Sequence, residues 1–202
     1  MSNLEQLDGN ISNVSVNNTT PSLPQVQKMD KITAALSLPI VATYNLRSLF
    51  LKVGNFTTDM LERKIDCAFL CEIWENVENK EHQYEIEKML EISGLKYFSS
   101  ARPPNAKGVC YGGAAIVVNM KKFTCEKLNV QTPKNLEAIW CLLKPKNAAS
   151  KFKKIITCSF YSPPNKRKNT KMADYIVSTL QMLCAKYPEC GIILGAIWTL
   201  GH

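Results

Sequence analysis

Polar residues without periodicity fill the start of the chain, and apolar patterning begins abruptly at Leu38. Residues 1–36 are rich in Asn, Ser and Thr and show neither stripe nor alternation, so they are expected to form a disordered polar leader. The run LPIVATYNL that opens at Leu38, with its β-branched residues, predicts a buried strand. Over Asn55–Ile65 apolar residues recur at Phe56, Met60, Leu61 and Ile65, the spacing of one helical face. IDCAFLCEIW is apolar almost without a break, as a strand covered on both faces must be. Lys80–Ile92 reads as a charged amphipathic helix that Gly94 stops.

Strands then follow one another: LKYFSSA, GGAAIVVN, FTCEKLNV, LEAIWCLL and KKIITCSFY. A helix from Thr170 to Tyr187, halted by Pro188, leads to a last strand, CGIILGA. The order is neither a clean alternation nor an all-β pattern. It predicts an α+β fold, a four-layer α/β sandwich in which two mixed sheets pack face to face with helices outside. A chain of 202 residues suffices for one such domain with a real core, and no internal repeat is visible.

Composition changes this picture little. At 46% hydrophobic and 21% charged residues the chain is an ordinary globular one, and no apolar run reaches the ~18 residues of a membrane span. The N-terminus has no basic start and no apolar stretch, so the sequons at Asn10 and Asn13 lack a secretory context; an intracellular protein, nuclear or cytoplasmic, is expected. The eight cysteines sit mostly within apolar runs, the placement of small buried hydrophobes with free thiols. Cys67 and Cys71 are four apart, but no second pair stands at zinc spacing and the histidines are His82 and His202. The net charge of +8 favours an anionic partner, although a solvated surface accounts for it equally. No membrane and no obligate protein partner is implied.

Chemistry is expected at strand ends, where layered α/β folds place their sites. Thr43-Tyr44-Asn45 closes the first apolar run. Glu72 follows the very apolar IDCAFLC; it is either a surface residue beyond the strand or a carboxylate paired with something, and a hard cation such as Mg²⁺ is one such partner. In SFYSPPN two prolines stiffen a turn with Tyr161 at its lip, either to orient a phosphate or as a half-buried turn aromatic. Gly112-Gly113, ahead of AAIVV, permits a close backbone approach or a plain tight turn.

TYNLRSL, CEIWE, YGGAAIVV, SFYSPPN and GIILGA, in that order and at those distances, resemble the endonuclease/exonuclease/phosphatase superfamily. More narrowly they resemble the endonuclease domains of non-LTR retrotransposon reverse-transcriptase proteins. Each motif alone is weak; the ordered set, from Leu38 to Ala196, is specific. The resemblance implies that Asn45 helps position the metal and the scissile phosphate, that Glu72 binds Mg²⁺, and that Tyr161 contacts the phosphate. Asn165 stands near a phosphate-binding Asn of some members, displaced by one position by the second proline. The implied chemistry is Mg²⁺-dependent phosphodiester hydrolysis by an activated water, with DNA as the partner of the intact domain.

The family follows its late apolar strand with an Asp and, two residues on, an Asn, and ends on a Ser-Asp-His motif. Here GIILGA leads into Ile197-Trp198-Thr199-Leu200-Gly201-His202, without Asp or Asn, and terminal His202 lacks the motif's context. The expected organisation is therefore a leader over 1–36, a domain over 37–196 that is incomplete at its C-terminus, and an aberrant tail over 197–202. Codons for that tail can be chosen so that reading two bases later gives Met-Asp-Ile-Arg-Pro, a stretch relatives carry; a shifted frame is its expected origin. Weak or absent Mg²⁺ binding and loss of activity are expected to follow. Lys151, Lys153 and Lys154 precede the Tyr161 strand, and Lys166, Arg167, Lys168 and Lys171 follow the Pro-Pro turn, as a groove tracking a nucleic-acid backbone requires, or as a solvated loop would show. The alternatives are a non-enzymatic nucleic-acid-binding remnant and a phosphatase of the same superfamily.

Overall fold

Every residue of strand β2 (Cys67–Cys71) is buried, which an unbroken apolar run allows only where both faces and both edges are covered. In the computed structural model β2 lies between β1 (Val41–Asn45), parallel to it, and the antiparallel β4 (Ala114–Asn119), with β3 (Leu95–Ser100) beyond. A second sheet runs β5 (Phe123–Lys127), β6 (Glu137–Pro145), β7 (Ile155–Ser162) and β8 (Gly191–Trp198), antiparallel except for the parallel β7–β8 pair. The structure describes residues 38–76, 78–147, 150, 152–162 and 166–198, and at 166–168 and 197–198 the backbone alone.

The two sheets meet through Cys67, Phe69, Ile116 and Val118 on one side and Ile139, Cys141, Leu143 and Ile155 on the other. Helices α1 (Val53–Glu62) and α2 (Lys80–Ile92) cover the outer face of the first sheet, packing Phe56, Met60, Ile86 and Leu90 on Ala68, Leu70, Ala115 and Val117. Helix α3 (Lys166–Lys186) covers the second, with Met172, Ile176 and Leu183 against Trp140, Leu142, Ile156 and Cys158. That is the helix–sheet–sheet–helix layering the pattern predicts. A polar bond fastens α3: the buried Trp140 indole donates to Tyr175 Oη at 3.1 Å, and that hydroxyl pairs with Thr132 at 2.9 Å.

Three expectations are corrected. The first strand is an edge rather than a buried strand. Only its Ala42 and Tyr44 pack on the core, while Val41, Thr43 and Asn45 are exposed, because β1 has a single strand neighbour. Helix α3 begins at Lys166, four residues ahead of the expected start at Thr170, since its first turn is polar and carries no periodicity to read. Strand β8 continues through Ile197 and Trp198, opposite Tyr161 and Ser162, and so enters the segment set apart as a tail. None of the eight cysteines forms a disulfide; burial pushes the Cys67 and Cys158 thiols up, and a bond to Cys125, then burial, pushes up that of Cys141. Among the described residues no helix is long and apolar enough to cross a membrane.

Candidate active site

Strands β2 and β7 face one another across the sandwich, and three side-chain bonds join them. Ser159 Oγ donates to the Leu70 carbonyl at 3.2 Å, Cys71 Sγ to the Phe160 carbonyl at 3.4 Å, and Tyr161 Oη to Glu72 Oε1 at 3.0 Å. Each bond links residues 89 apart. An offset repeated three times means that the two strands run in the same direction and in register across the interface. The sandwich therefore delivers Tyr161 to Glu72 as the last rung of a ladder whose lower rungs are buried. Tyr161 lies within β7 rather than on the lip of a turn, paired with Glu137 on one side and Ile197 on the other.

Glu72 is 18% exposed, with the Arg47 guanidinium Nε 4.0 Å from its other oxygen. Burial raises the Tyr161 hydroxyl above the usual tyrosine range, the bond to Glu72 and that residue's charge raise it further, and the Arg102 charge opposes the rise. The phenol is thus neutral near pH 7 and acts as a donor. Beside it the buried Glu137 carboxylate pairs with Arg102 and accepts the Gly113 N–H. A Cβ on Gly112 would stand 2.5 Å from Glu137 Oε2, and one on Gly113 2.7 Å from Ile73 Cγ1. With φ of +75° and +85°, these glycines let the loop close over that carboxylate; close approach, rather than turning alone, is what the pair provides.

The backbone around Glu72 is strained. Arg47 (φ +48°), Ser48 (+89°), Glu72 (+53°) and Trp74 (+50°) are four of the six described non-glycine residues in the left-handed region. They lie on two segments that stay bonded beyond the ends of β1 and β2, Ser48 N–H to the Glu72 carbonyl at 3.1 Å and Leu49 N–H to that of Ile73 at 2.9 Å. Such conformations cost about 1–3 kcal/mol each and persist only where surrounding contacts over-determine them.

Of the residues singled out from sequence, Glu72 and Tyr161 meet directly. Asn45 is the exposed end of β1, in register with Cys71 and so beside Glu72's strand end. Asn165 lies outside the described residues. The backbone of Lys166, Arg167 and Lys168 forms the first turn of α3, a turn without acidic residues at this same end of the sandwich; Lys171 is exposed. Arg47, Arg102 and Glu137 were missed. Glu137 carried a usable signal, a lone acid opening the apolar run EAIWCLL, whereas Arg102 in ARPP carried none. For a metal the donor set is lean: among the described residues no three His, Cys, Asp or Glu side chains converge. A Mg²⁺ ion fits such a place, because it takes one or two carboxylates and completes its shell with water and phosphate oxygens.

No family model and no curated protein matches the sequence. Solved structures do. The catalytic domain of human Nocturnin, described with a bound sulfate anion, superposes with a TM-score of 0.58 at 14% identity over 78% of this chain and 63% of that one. A mannosyl-6-phosphatase of Bacteroides thetaiotaomicron gives 0.58 at 17% identity over 79% and 64%. TDP2 from Caenorhabditis elegans gives 0.51 at 14% identity over 88% and 57%. At such identities the likeness is one of fold, and the chain spans about three-fifths of the length of the structures it matches.

Proposed function

For a chain with the fold of the endonuclease/exonuclease/phosphatase superfamily, we propose the metal- and phosphate-holding part of a phosphodiester-cleaving site of the retroelement endonuclease type. The observation that carries this reading is the 3.0 Å bond between Tyr161 and Glu72, two residues chosen from separate motifs. Glu72 would hold Mg²⁺ with the Asn45 amide at the neighbouring strand end. Bound there, the ion supplies polarisation of a phosphoryl oxygen and stabilisation of the leaving group. Tyr161 has a single O–H to give, to the Glu72 carboxylate as here or, on substrate binding, to a phosphate oxygen in its place. Arg47 and Arg102 bring positive charge to the same place, Arg102 fixed there by Glu137. The basic start of α3 then tracks the nucleic-acid backbone.

Turnover needs more than this. Ile197–His202 contains neither Asp nor Asn to hold an attacking water, and removing members of a coupled catalytic unit costs several orders of magnitude. The 202-residue chain should therefore bind DNA in a salt-dependent way without nicking supercoiled plasmid in Mg²⁺ above a buffer control. Glu72→Gln should remove whatever strengthening Mg²⁺ gives to that binding. Robust nicking that disappears in Glu72→Ala would show a complete site, and binding indifferent to both Mg²⁺ and Glu72 would overturn the assignment of the metal.

A further inference from the structure

Trp74 is two residues beyond Glu72 in CEIWEN, and between the buried Ile73 and Glu75 its side chain reaches the surface. Its backbone is left-handed, with φ of +50°, a conformation that a bulky residue keeps only where surrounding contacts impose it. One such contact is its own N–H, which donates to the Gly112 carbonyl at 3.0 Å. Tyr111, one residue before that glycine, meets the indole nearly at right angles, with ring centroids 5.5 Å apart and planes at 84°. Tyr111 is 49% exposed, and among the described residues neither ring packs into any of the three cores. A backbone strained to hold an aromatic pair in water is not explained by packing.

Both members of the pair are fastened to the proposed phosphate site. Trp74 follows Glu72 on the segment that Ser48 and Leu49 hold, by their N–H groups, through the Glu72 and Ile73 carbonyls at 3.1 and 2.9 Å. Tyr111 precedes Gly112 and Gly113, which close over the Glu137 carboxylate, and Glu137 is the register partner of Tyr161. The rings thus stand on the rim between the chain that carries the metal-holding carboxylate and the chain that carries the tyrosine. Cations stand at the same carboxylates: Arg47 near Glu72 and Arg102 on Glu137, with side chains 74% and 41% exposed. Exposed flat rings beside exposed guanidinium groups suit a ligand with a π-face and an anionic tether. A peptide or acyl chain would use the rings alone; a nucleotide uses both.

Resting on the phosphodiesterase reading of that site, we propose that Tyr111, braced by Trp74, is a stacking platform for an unpaired base next to the phosphate held at Glu72 and Tyr161. The half-exposed phenol ring offers such a base a free face, and the indole standing across it walls one side. Every base has a π-face, so the platform discriminates little among sequences. It does discriminate by strand state. A base inside a duplex is already stacked on its neighbours and must be unstacked before a side chain can take its face. The occupant is therefore a base of a single strand or of an unpaired junction.

The test compares two fluorescein-labelled single strands on the full chain by polarisation: about eight thymidines, within the ~4–16 nucleotides such grooves track, and an abasic strand with the same phosphates. The thymidine strand should bind at least about tenfold more tightly, the order that one base–aromatic stack confers. Tyr111→Ala should bring the two strands to equal affinity and Tyr111→Phe should keep the difference. The slope of log K against log salt should stay the same throughout, because no phosphate contact changes. Trp140 is 1% exposed, so in a Trp198→Phe chain emission quenched by the thymidine strand, and not by the abasic one, reports on Trp74. Equal affinities, a difference that survives Tyr111→Ala, or one that Tyr111→Phe also removes would each overturn the proposal. If Tyr111→Ala does not fold, the Trp74 emission decides, and its indifference to the thymidine strand would overturn the proposal. The ratio of the two affinities does not depend on Mg²⁺ or Glu72. Binding indifferent to both would therefore sink the phosphodiesterase reading without touching this result.

Discussion

Three tyrosine hydroxyls in this fold each donate to a carboxylate: Tyr44 to Asp59 at 2.5 Å, Tyr97 to Glu75 at 3.1 Å and Tyr161 to Glu72 at 3.0 Å. Tyr44 ties β1 to α1 one residue before Asn45, so the pair sets where the strand end points. Its pKa is pushed up to about 12, first by burial and then by the bond to Asp59 and that residue's charge. An unfolded tyrosine ionises near 10. A raised folded value means that the contribution is complete below pH 10 and is lost as pH climbs from there towards 12. The stability difference between the parent chain and Tyr44→Phe, measured from urea midpoints by circular dichroism, should hold steady up to about pH 9.5 and shrink above it. A difference that is flat to pH 12 would contradict the geometry. At this scale sequence reading reached Glu72 and Tyr161, because a polar residue closing an apolar strand stands out locally. It could not reach Glu75 or Arg102, whose surroundings depend on residues 22 and 35 positions away.

Among the elements, α3 is where sequence pattern and structure part most clearly. Its apolar stripe from Met172 to Leu183 is legible, and so is the buried face of β6 beneath it. Its first turn is not, since a run of Lys, Arg and Asn looks the same in a loop as in a helix. That placement has a consequence for binding, because a helix start carries partial positive charge and here adds to the side-chain cations. Replacing Lys166, Arg167 and Lys168 with Ala should weaken DNA binding and reduce the slope of log K against log salt by up to about 0.9 for each phosphate contact removed. An unchanged slope would move the binding surface elsewhere. The β2–β7 register was equally hidden. Both strands are apolar runs, and nothing in either announces that they lie opposite one another.

For the whole molecule, the layering was legible because short unbroken apolar runs and helical stripes are easily told apart and their order admits few arrangements. Which strands become edges was not, and it matters for behaviour in solution. β1 and β8 are the outer strands of their sheets and lie on the same side of the sandwich. Val41, Ile192 and Leu194 are exposed there, and no strand pairs with either outer edge among the described residues. Open apolar edges template self-association. Purified protein should give high-molecular-weight species by light scattering, and Ile192→Lys with Leu194→Lys should reduce them. A parent chain that stays monomeric and unfolds sharply and reversibly would contradict this.

The left-handed backbone of Arg47 and Ser48 also bears on how this protein could be changed by selection. A library screened only for heat resistance has an easy gain there, since glycine relieves about 1–2 kcal/mol of left-handed strain against roughly 0.5–1 kcal/mol of added chain entropy. Ser48→Gly should accordingly raise the melting temperature while weakening DNA binding, as the segment beside Glu72 loosens; a variant improved in both would show that the strain serves nothing. Heat and ligand would then select opposite residues at one position, and a lineage kept for binding would retain an amino acid that a lineage kept for robustness discards.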